Sequence, residues 1–237
     1  MDTEEQFYWL GFMYADGNIS SEGNRIEVRL ALKDIDHLEK FRKFLNLSTE
    51  IRTGLNGDHT YYCHLSVRNK HMWNTLNNLG CTPRKSLTLT FPKLSIFKKV
   101  KFLLDFIRGY VDGDGCLCIY PNKAKTSYRT YLGLVGTESF LLSVNKLFNN
   151  KGYLRNKSCM NWENKAFSLY FSDVVSRKIA RLLYQNANIY LQRKYNKYLE
   201  FCRLEEESSL RKSSKIGESW DANSEVNSEI TKGSESP

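Results

Sequence analysis

An α+β architecture built as two matched αββαββα halves is what this sequence predicts, and three observations predict it. A nonapeptide, WLGFMYADG at 9–17, returns as IRGYVDGDG at 107–115. Each copy is followed by the same succession of strand-like and helix-like stretches. The chain is also basic, with 35 Lys and Arg against 26 Asp and Glu and a formal net charge of +9. A repeat of about a hundred residues outweighs any local assignment, because it implies one supersecondary plan used twice.

In the first half, the apolar stretch ending at Gly17 reads as a helix. RIEVRLAL (25–32) alternates, sending Ile26, Val28, Leu30 and Leu32 to one face of a strand. DIDHLEKFRKFLN (34–46) has Leu38, Phe41 and Leu45 at helical spacing, with Asp34 as the expected N-cap. HTYYCHLSVRN (59–69) reads as a strand, and KHMWNTLNNLG (70–80) as a helix closed by Gly80. The second half repeats the order: strand TSYRTYLGLVG (126–136), Thr-capped helix TESFLLSVNKLFNN (137–150), strand KAFSLYFSD (165–173) and helix VVSRKIARLLYQN (174–186). The expected organisation is an N-terminal half (1–95), a C-terminal half (96–204) and a disordered polar tail (205–237) rich in Ser, Glu, Asn and Lys.

A chain that is 41% hydrophobic can bury a core of its own. No apolar run approaches the ~20 residues that span a bilayer, and no charged leader with an apolar segment opens the chain, so an intracellular, non-secreted protein without a membrane partner is expected. Six Cys form no C-x-x-C pair, so reduced, packed thiols are expected rather than a zinc site. The excess of positive charge points to a polyanionic partner.

Aligning the nonapeptides pairs Gly11 with Gly109, Ala15 with Gly113, Asp16 with Asp114 and Gly17 with Gly115. Gly inside a helix costs ~1 kcal/mol relative to Ala, which calls for a compensating close approach of two helix backbones. If the two helices pack through Gly11, Ala15, Gly109 and Gly113, their C-termini emerge side by side and Asp16 and Asp114 share one small volume. Like charges repel, and a helix C-terminus is already the negative end of a dipole. A hard divalent cation resolves the conflict, held by both carboxylates and by helix-end carbonyls at Ala15 and Gly113. The chemistry this implies is metal-assisted phosphodiester hydrolysis. One helix ending in Asp-Gly would be ordinary turn chemistry; a matched pair opening two repeats is not. DGDG at 112–115 imitates the start of a calcium loop, but Cys116 and Leu117 stand where an oxygen ligand and the loop glycine belong.

At these residues, and over roughly 7–203, the chain resembles the LAGLIDADG homing endonucleases, specifically the monomeric kind with two motifs. The resemblance implies a pseudo-twofold saddle of antiparallel sheets that straddles double-stranded DNA. It implies a monomer that cuts both strands of a long, partly asymmetric target with Mg²⁺ (about two or three divalent ions, Mn²⁺ substituting), leaving short 3′ overhangs. Family lysines lie late in each half. GCTPRKSLTLTFP (80–92) points to Lys85 and IYLQRKYNKYL (189–199) to Lys194, with Arg84, Arg193 and Lys197 as substitutes. Position 14 is Tyr where the family motif carries an acid, which Asp112 keeps in the second copy. The same fold serves intron RNA maturases, so RNA is the alternative partner; two intact aspartates favour cleavage.

A sheet that covers DNA turns one strand-alternate face to the groove. Arg25, Glu27, Arg29 and Lys33 project from the first long strand and His64, Ser66 and Arg68 from the next. The second-half counterparts are Arg129, Tyr131, Ser168 and Tyr170, with Arg155 and Lys157 on the intervening strand. This mixture suits base readout better than a uniform Lys stripe.

Overall fold

The computed structural model describes residues 1–122, 124, 127–157 and 166–207. Residues 1–198 form one compact unit that contains both repeats. Of a second unit, 199–237, residues 199–207 are described and are helical.

Helix α1 spans Glu4–Ala15. The Thr3 side chain accepts from the Gln6 amide at 3.3 Å, and Glu4 and Glu5 place negative charge at the positive end of the helix. Every residue from Phe7 to Ala15 is buried, which is why the segment is apolar all round rather than amphipathic. The first half continues as β1 (Gly17–Ile19), β2 (Arg25–Ala31), α2 (Ile35–Phe44), β3 (Arg52–Leu55), β4 (Tyr61–Arg68) and α3 (Lys70–Asn78). The second half begins with α4 (Val100–Asp114), then β5 (Gly115–Pro121), β6 (Tyr128–Gly136), α5 (Glu138–Leu147), β7 (Tyr153–Lys157), β8 (Ala166–Ser172) and α6 (Asp173–Tyr184). Each half is therefore αββαββα, and residues 192–198 are again helical.

The strands form two antiparallel four-stranded sheets of the same topology, β1-β2-β4-β3 and β5-β6-β8-β7. Their alternation decides their faces. Ile26, Val28 and Leu30 of β2 and Cys63 and Leu65 of β4 point inward against α2, which contributes Leu38 and Phe41. Leu132 and Leu134 of β6 and Leu169 and Phe171 of β8 point inward against α5 and α6, which bring Phe140, Leu141, Ile179 and Leu183. The opposite faces are turned away from these helices.

Several expectations are corrected. Asp34 does occupy the N-cap position of α2, but its side chain makes no cap hydrogen bond. A 3₁₀ turn, Leu32–Asp34, turns it inward, where it accepts from Arg193 Nε at 3.0 and 3.2 Å. Lys33 accordingly belongs to that turn rather than to β2, although it stays exposed. Residues 205–207 are still helical, and the rest of the polar tail lies outside the described residues. Cys63 and Cys81 are buried free thiols, but Cys116 is exposed and Cys118 half-buried; Cys159 lies outside the described residues. No helix among the described residues is long and apolar enough to cross a membrane.

Candidate active site and nucleic-acid interface

The two motif helices meet main chain to main chain. A Cβ built on Gly11 would fall on the carbonyl of Phe106, and one built on Gly109 would fall on the carbonyl of Tyr8. Residues 8 and 106 are equivalent in the repeat, so the contact is the same contact made twice. One turn further, a Cβ on Gly113 would collide with that of Ala15, so only one of this pair can carry a side chain. That built position lies 3.2 Å from Asp16 Oδ2, which places the Asp16 carboxylate against the C-terminal turn of the opposite helix. Gly17 and Gly115 serve a third purpose: a Cβ on either would strike the main chain of Met13 or Val111, four residues back. Only glycine lets the chain leave each helix directly into a strand.

Asp16 and Asp114 are thereby brought into mutual electrostatic contact. Burial, and then the charge of Asp114, push the Asp16 carboxyl up to about 6, against the opposing pull of Lys85, Lys194 and Arg193. Burial also raises Asp114, which keeps one open side. Among the described residues neither carboxylate accepts a hydrogen bond. Asp114 lines a cavity together with Tyr14, Ala15, Lys85, Tyr110 and Thr137.

Both expected lysines are buried beside the acids. Lys85 is 9% exposed and Lys194 5%. Lys85 Nζ donates to the Ala15 carbonyl at 2.8 Å; Lys194 Nζ donates to Val111 O at 3.3 Å and also to Gly115 O. Each ammonium thus sits on the C-terminal end of its own repeat's motif helix, where a cation opposes the dipole. Burial lowers the pKa of both, and Arg193 adds to the lowering of Lys194. Of the substitutes, Arg193 is committed to Asp34, and Arg84 is the left-handed residue (φ 56°) that starts the turn carrying Lys85.

Two buried features have no counterpart in the sequence reading. Asp112, wholly buried, accepts from Tyr8 OH at 2.7 Å, Tyr184 OH at 2.6 Å and the Leu191 amide at 2.7 Å, and so fixes the segment that leads to Lys194. Its equivalent, Tyr14, donates to the Leu79 carbonyl and holds the segment that leads to Lys85. Arg108, 3% exposed inside the second motif, binds Asp105, Glu4, Leu183 O and Ile189 O. Burial opposes ionisation of Glu4, but hydrogen bonds from Lys101 and Asn188 and the Arg108 charge hold it down at about 2. A charge inside an apolar motif, three residues after an acid, was the available signal for Arg108.

On the first sheet, cross-strand register puts the expected contact residues on one outer face: Arg25 opposite Arg68, Glu27 opposite Ser66, Arg29 opposite His64. Arg52 of β3, on an edge strand with no alternating pattern, also faces His64 and was missed. Tyr62, two residues before His64, lies under the Arg29 guanidinium at 3.5 Å. On the second sheet Tyr131, Tyr170 and Arg155 share the outer face, while Arg129 is exposed, 4.0 Å from Asp173. Lys157 pairs with Ala166 in β7, and its side chain lies outside the description. Ser168 has the right register but is 1% exposed with an unpartnered hydroxyl, so a ligand on this face meets its neighbours first.

No family profile matches the chain, and no curated protein does. Solved structures do. The I-LtrWI LAGLIDADG homing endonuclease bound to target DNA is 15% identical, covers 91% of this chain and 97% of its own, and superposes with a TM-score of 0.56. I-SmaMI bound to cleaved DNA is 12% identical over 83% of this chain and 87% of its own, with a TM-score of 0.54. I-GzeII in complex with its DNA target is 14% identical over 88% and 91%, with a TM-score of 0.51. Identity that low speaks to fold alone, and the fold of this chain is that of the LAGLIDADG homing endonucleases.

Proposed function

We propose that this protein is a divalent-metal-dependent, site-specific endonuclease that hydrolyses one phosphodiester bond in each strand of a long DNA target. The observation that carries the reading is the pairing of Asp16 and Asp114 at the ends of two helices whose backbones touch, each flanked by a buried lysine. The solved neighbours, which include a homing endonuclease bound to cleaved DNA, support it, as does the net charge of +9.

The residues fit a hard cation. Two carboxylates with no hydrogen-bond donors among the described residues, one with an open side, supply oxygen ligands and leave room for water and a phosphate oxygen. Asp16 and Asp114 would hold Mg²⁺ (Mn²⁺ substituting), with the Gly113 carbonyl, and that of Ala15 beside its lysine, within the same helix ends. When bound, the metal supplies Lewis-acid polarisation of the phosphate and a water of lowered pKa.

The chain's own groups do the rest. Lys85 and Lys194 keep two positive charges at the end of the helix pair, offset the two carboxylates and both dipoles, and attract the scissile phosphates. Their lowered pKa values make proton exchange with an attacking water easier than for a solvated lysine. The outer sheet faces bind the target on either side and hold it in register.

The test is selection of cleaved molecules from a random-target library with Mg²⁺. The proposal requires a defined sequence to emerge, and cleavage to vanish in Asp16→Asn and in Asp114→Asn while both variants still bind it. Binding to intron RNA with no DNA cleaved by the wild type would replace it with the maturase reading.

A further inference from the structure

We infer that the two halves read their half-sites by different chemistry: the first sheet through guanine, by arginine, and the second through thymine, by tyrosine and thiol contact with its methyl group. The inference rests on the endonuclease reading and adds the base composition of the target to it.

The first sheet's outer face is organised in four rows that run across the strands. One is Ala31, Tyr62 and Gly54, with the Tyr62 ring under the Arg29 guanidinium; the second is Arg29, His64 and Arg52; the third is Asn18, Glu27 and Ser66; the fourth sets Arg25 opposite Arg68. Two guanidiniums directly opposite each other destabilise a free sheet. Here the arrangement occurs in one row, and two rows away, beyond Glu27, two arginines bracket a histidine. A ligand rich in paired acceptors relieves it. The major-groove edge of guanine, with O6 and N7, is the base edge that matches a guanidinium fork. Arg25, Arg52, His64 and Arg68 also line one cleft together with Glu50, so three guanidinium-bearing residues border a common volume with one carboxylate among them.

The second sheet's outer face has no charge in its two central rows. Cys118, Tyr131 and Ser172 form one; Cys116, Gly133, Tyr170 and Tyr153 form the other. Tyr120 continues the face, its ring edge-on to Tyr131 at 5.7 Å. Tyr120 and Tyr153 are 56% and 69% exposed, so the aromatic surface is available. Its charges, Arg129 and Arg155, stand in the outer rows. Phenol rings and thiols cannot make the bidentate guanine contact. They can pack against an apolar group in the groove, and the thymine C5-methyl is the one that DNA offers there. Arginine at the rim is suited to phosphates, which position without specifying.

The test uses the full chain and a target it has selected. Selection is repeated with Arg29→Ala plus Arg68→Ala, and separately with Tyr120→Ser plus Tyr153→Ser, so that the positions whose preference relaxes identify the half-site under each sheet. Deoxyuridine then replaces each thymidine, and 7-deazaguanine each guanine, one half-site at a time. Expected is a loss of affinity of about fourfold per methyl removed in the half-site assigned to the tyrosines. In the arginine half-site, a loss of about tenfold or more per guanine N7 removed is expected. Uracil without effect in the tyrosine half, or guanine preferences relaxing with the tyrosine variants, overturns the inference while leaving the endonuclease intact. Failure of the folded wild type to select and cleave any target removes both. The base-analogue arm does not depend on the folding of any variant.

Discussion

At the tips of the motif helices the two halves of this protein are near copies; on their outer sheet faces they have parted. Gly11 and Gly109 meet equivalent carbonyls, Asp16 faces Asp114, and Lys85 and Lys194 each hold the end of their own motif helix. On the sheets that follow, four arginines stand on one outer face and tyrosines and thiols on the other. Two strands of a duplex present the same bond to be broken, so the chemistry favours two equivalent sets of groups. The bases beside those bonds need not match, so the reading surfaces are free to differ. On the endonuclease reading proposed above, equivalence marks the reaction and difference marks recognition.

The comparison can be broken in several places, and the largest effect is expected at the acids. Asp16→Asn and Asp114→Asn should each reduce double-strand cleavage below detection in a plasmid assay; nicking retained in one variant alone would show that the centre is asymmetric too. Next come the positions where the equivalence is imperfect. Asp112→Leu leaves the buried Tyr184 hydroxyl and Leu191 amide without an acceptor, Tyr8 keeping His37 Nε2 at 2.9 Å, and should cost about 3–5 kcal/mol in a denaturant titration. Tyr14→Phe, its counterpart, removes one hydrogen bond and should cost about 1 kcal/mol. Equal losses would mean that the two residues brace their lysine-bearing segments alike.

Asp16 gives a pH signature. Its folded pKa, about 6, lies above the unfolded value near 3.8, so the protonated form is the one the fold prefers. Its contribution is fully present below the unfolded value and is lost as pH rises through about 6. In metal-free buffer at pH 8, Asp16→Asn should therefore raise stability by up to about 3 kcal/mol, read as a higher Tm. Cleavage runs the other way: on the proposed reading it needs the carboxylate, so the variant that gains stability in metal-free buffer should lose activity with Mg²⁺. A destabilised Asp16→Asn at pH 8 would contradict this. The smallest effect is at a thiol. Brief N-ethylmaleimide treatment should label Cys116, not buried Cys63 or Cys81, and bound target should slow that labelling; mass spectrometry reads both.

Much of the fold was legible because period-two and period-3.6 patterns are written in apolar residues, and β2, β4, β6 and β8 all carry one inward stripe. The site was legible for a different reason: glycine at equivalent helical positions has a cost that only close approach repays. What escaped has physical causes as well. β3, Arg52–Leu55, is an exposed edge strand that buries nothing, so no alternation announces it, and Arg52 went with it. Asp34 has the residue type and position of a cap, but a part-buried contact with the half-exposed Arg193, 159 residues away, outbid the local preference. Asp112 reads in the sequence only as the acid kept by the second motif; its three donors come from Tyr8, Tyr184 and Leu191, distant in sequence and convergent only in the fold. On the second sheet Tyr131 and Tyr170 are legible by alternation, whereas Cys116, Cys118 and Tyr120 are not: β5 buries only Leu117, so no inward stripe marks its opposite face.

The joint at Gly11 and Gly109 is made of peptide groups, which every protein possesses, more than of side chains, which differ. A repeat borrowed from another molecule of this architecture could therefore dock on either partner, provided it brings its own glycine and the space around it. That makes the chain a natural starting point for hybrid enzymes in which one reading surface is exchanged and the other kept.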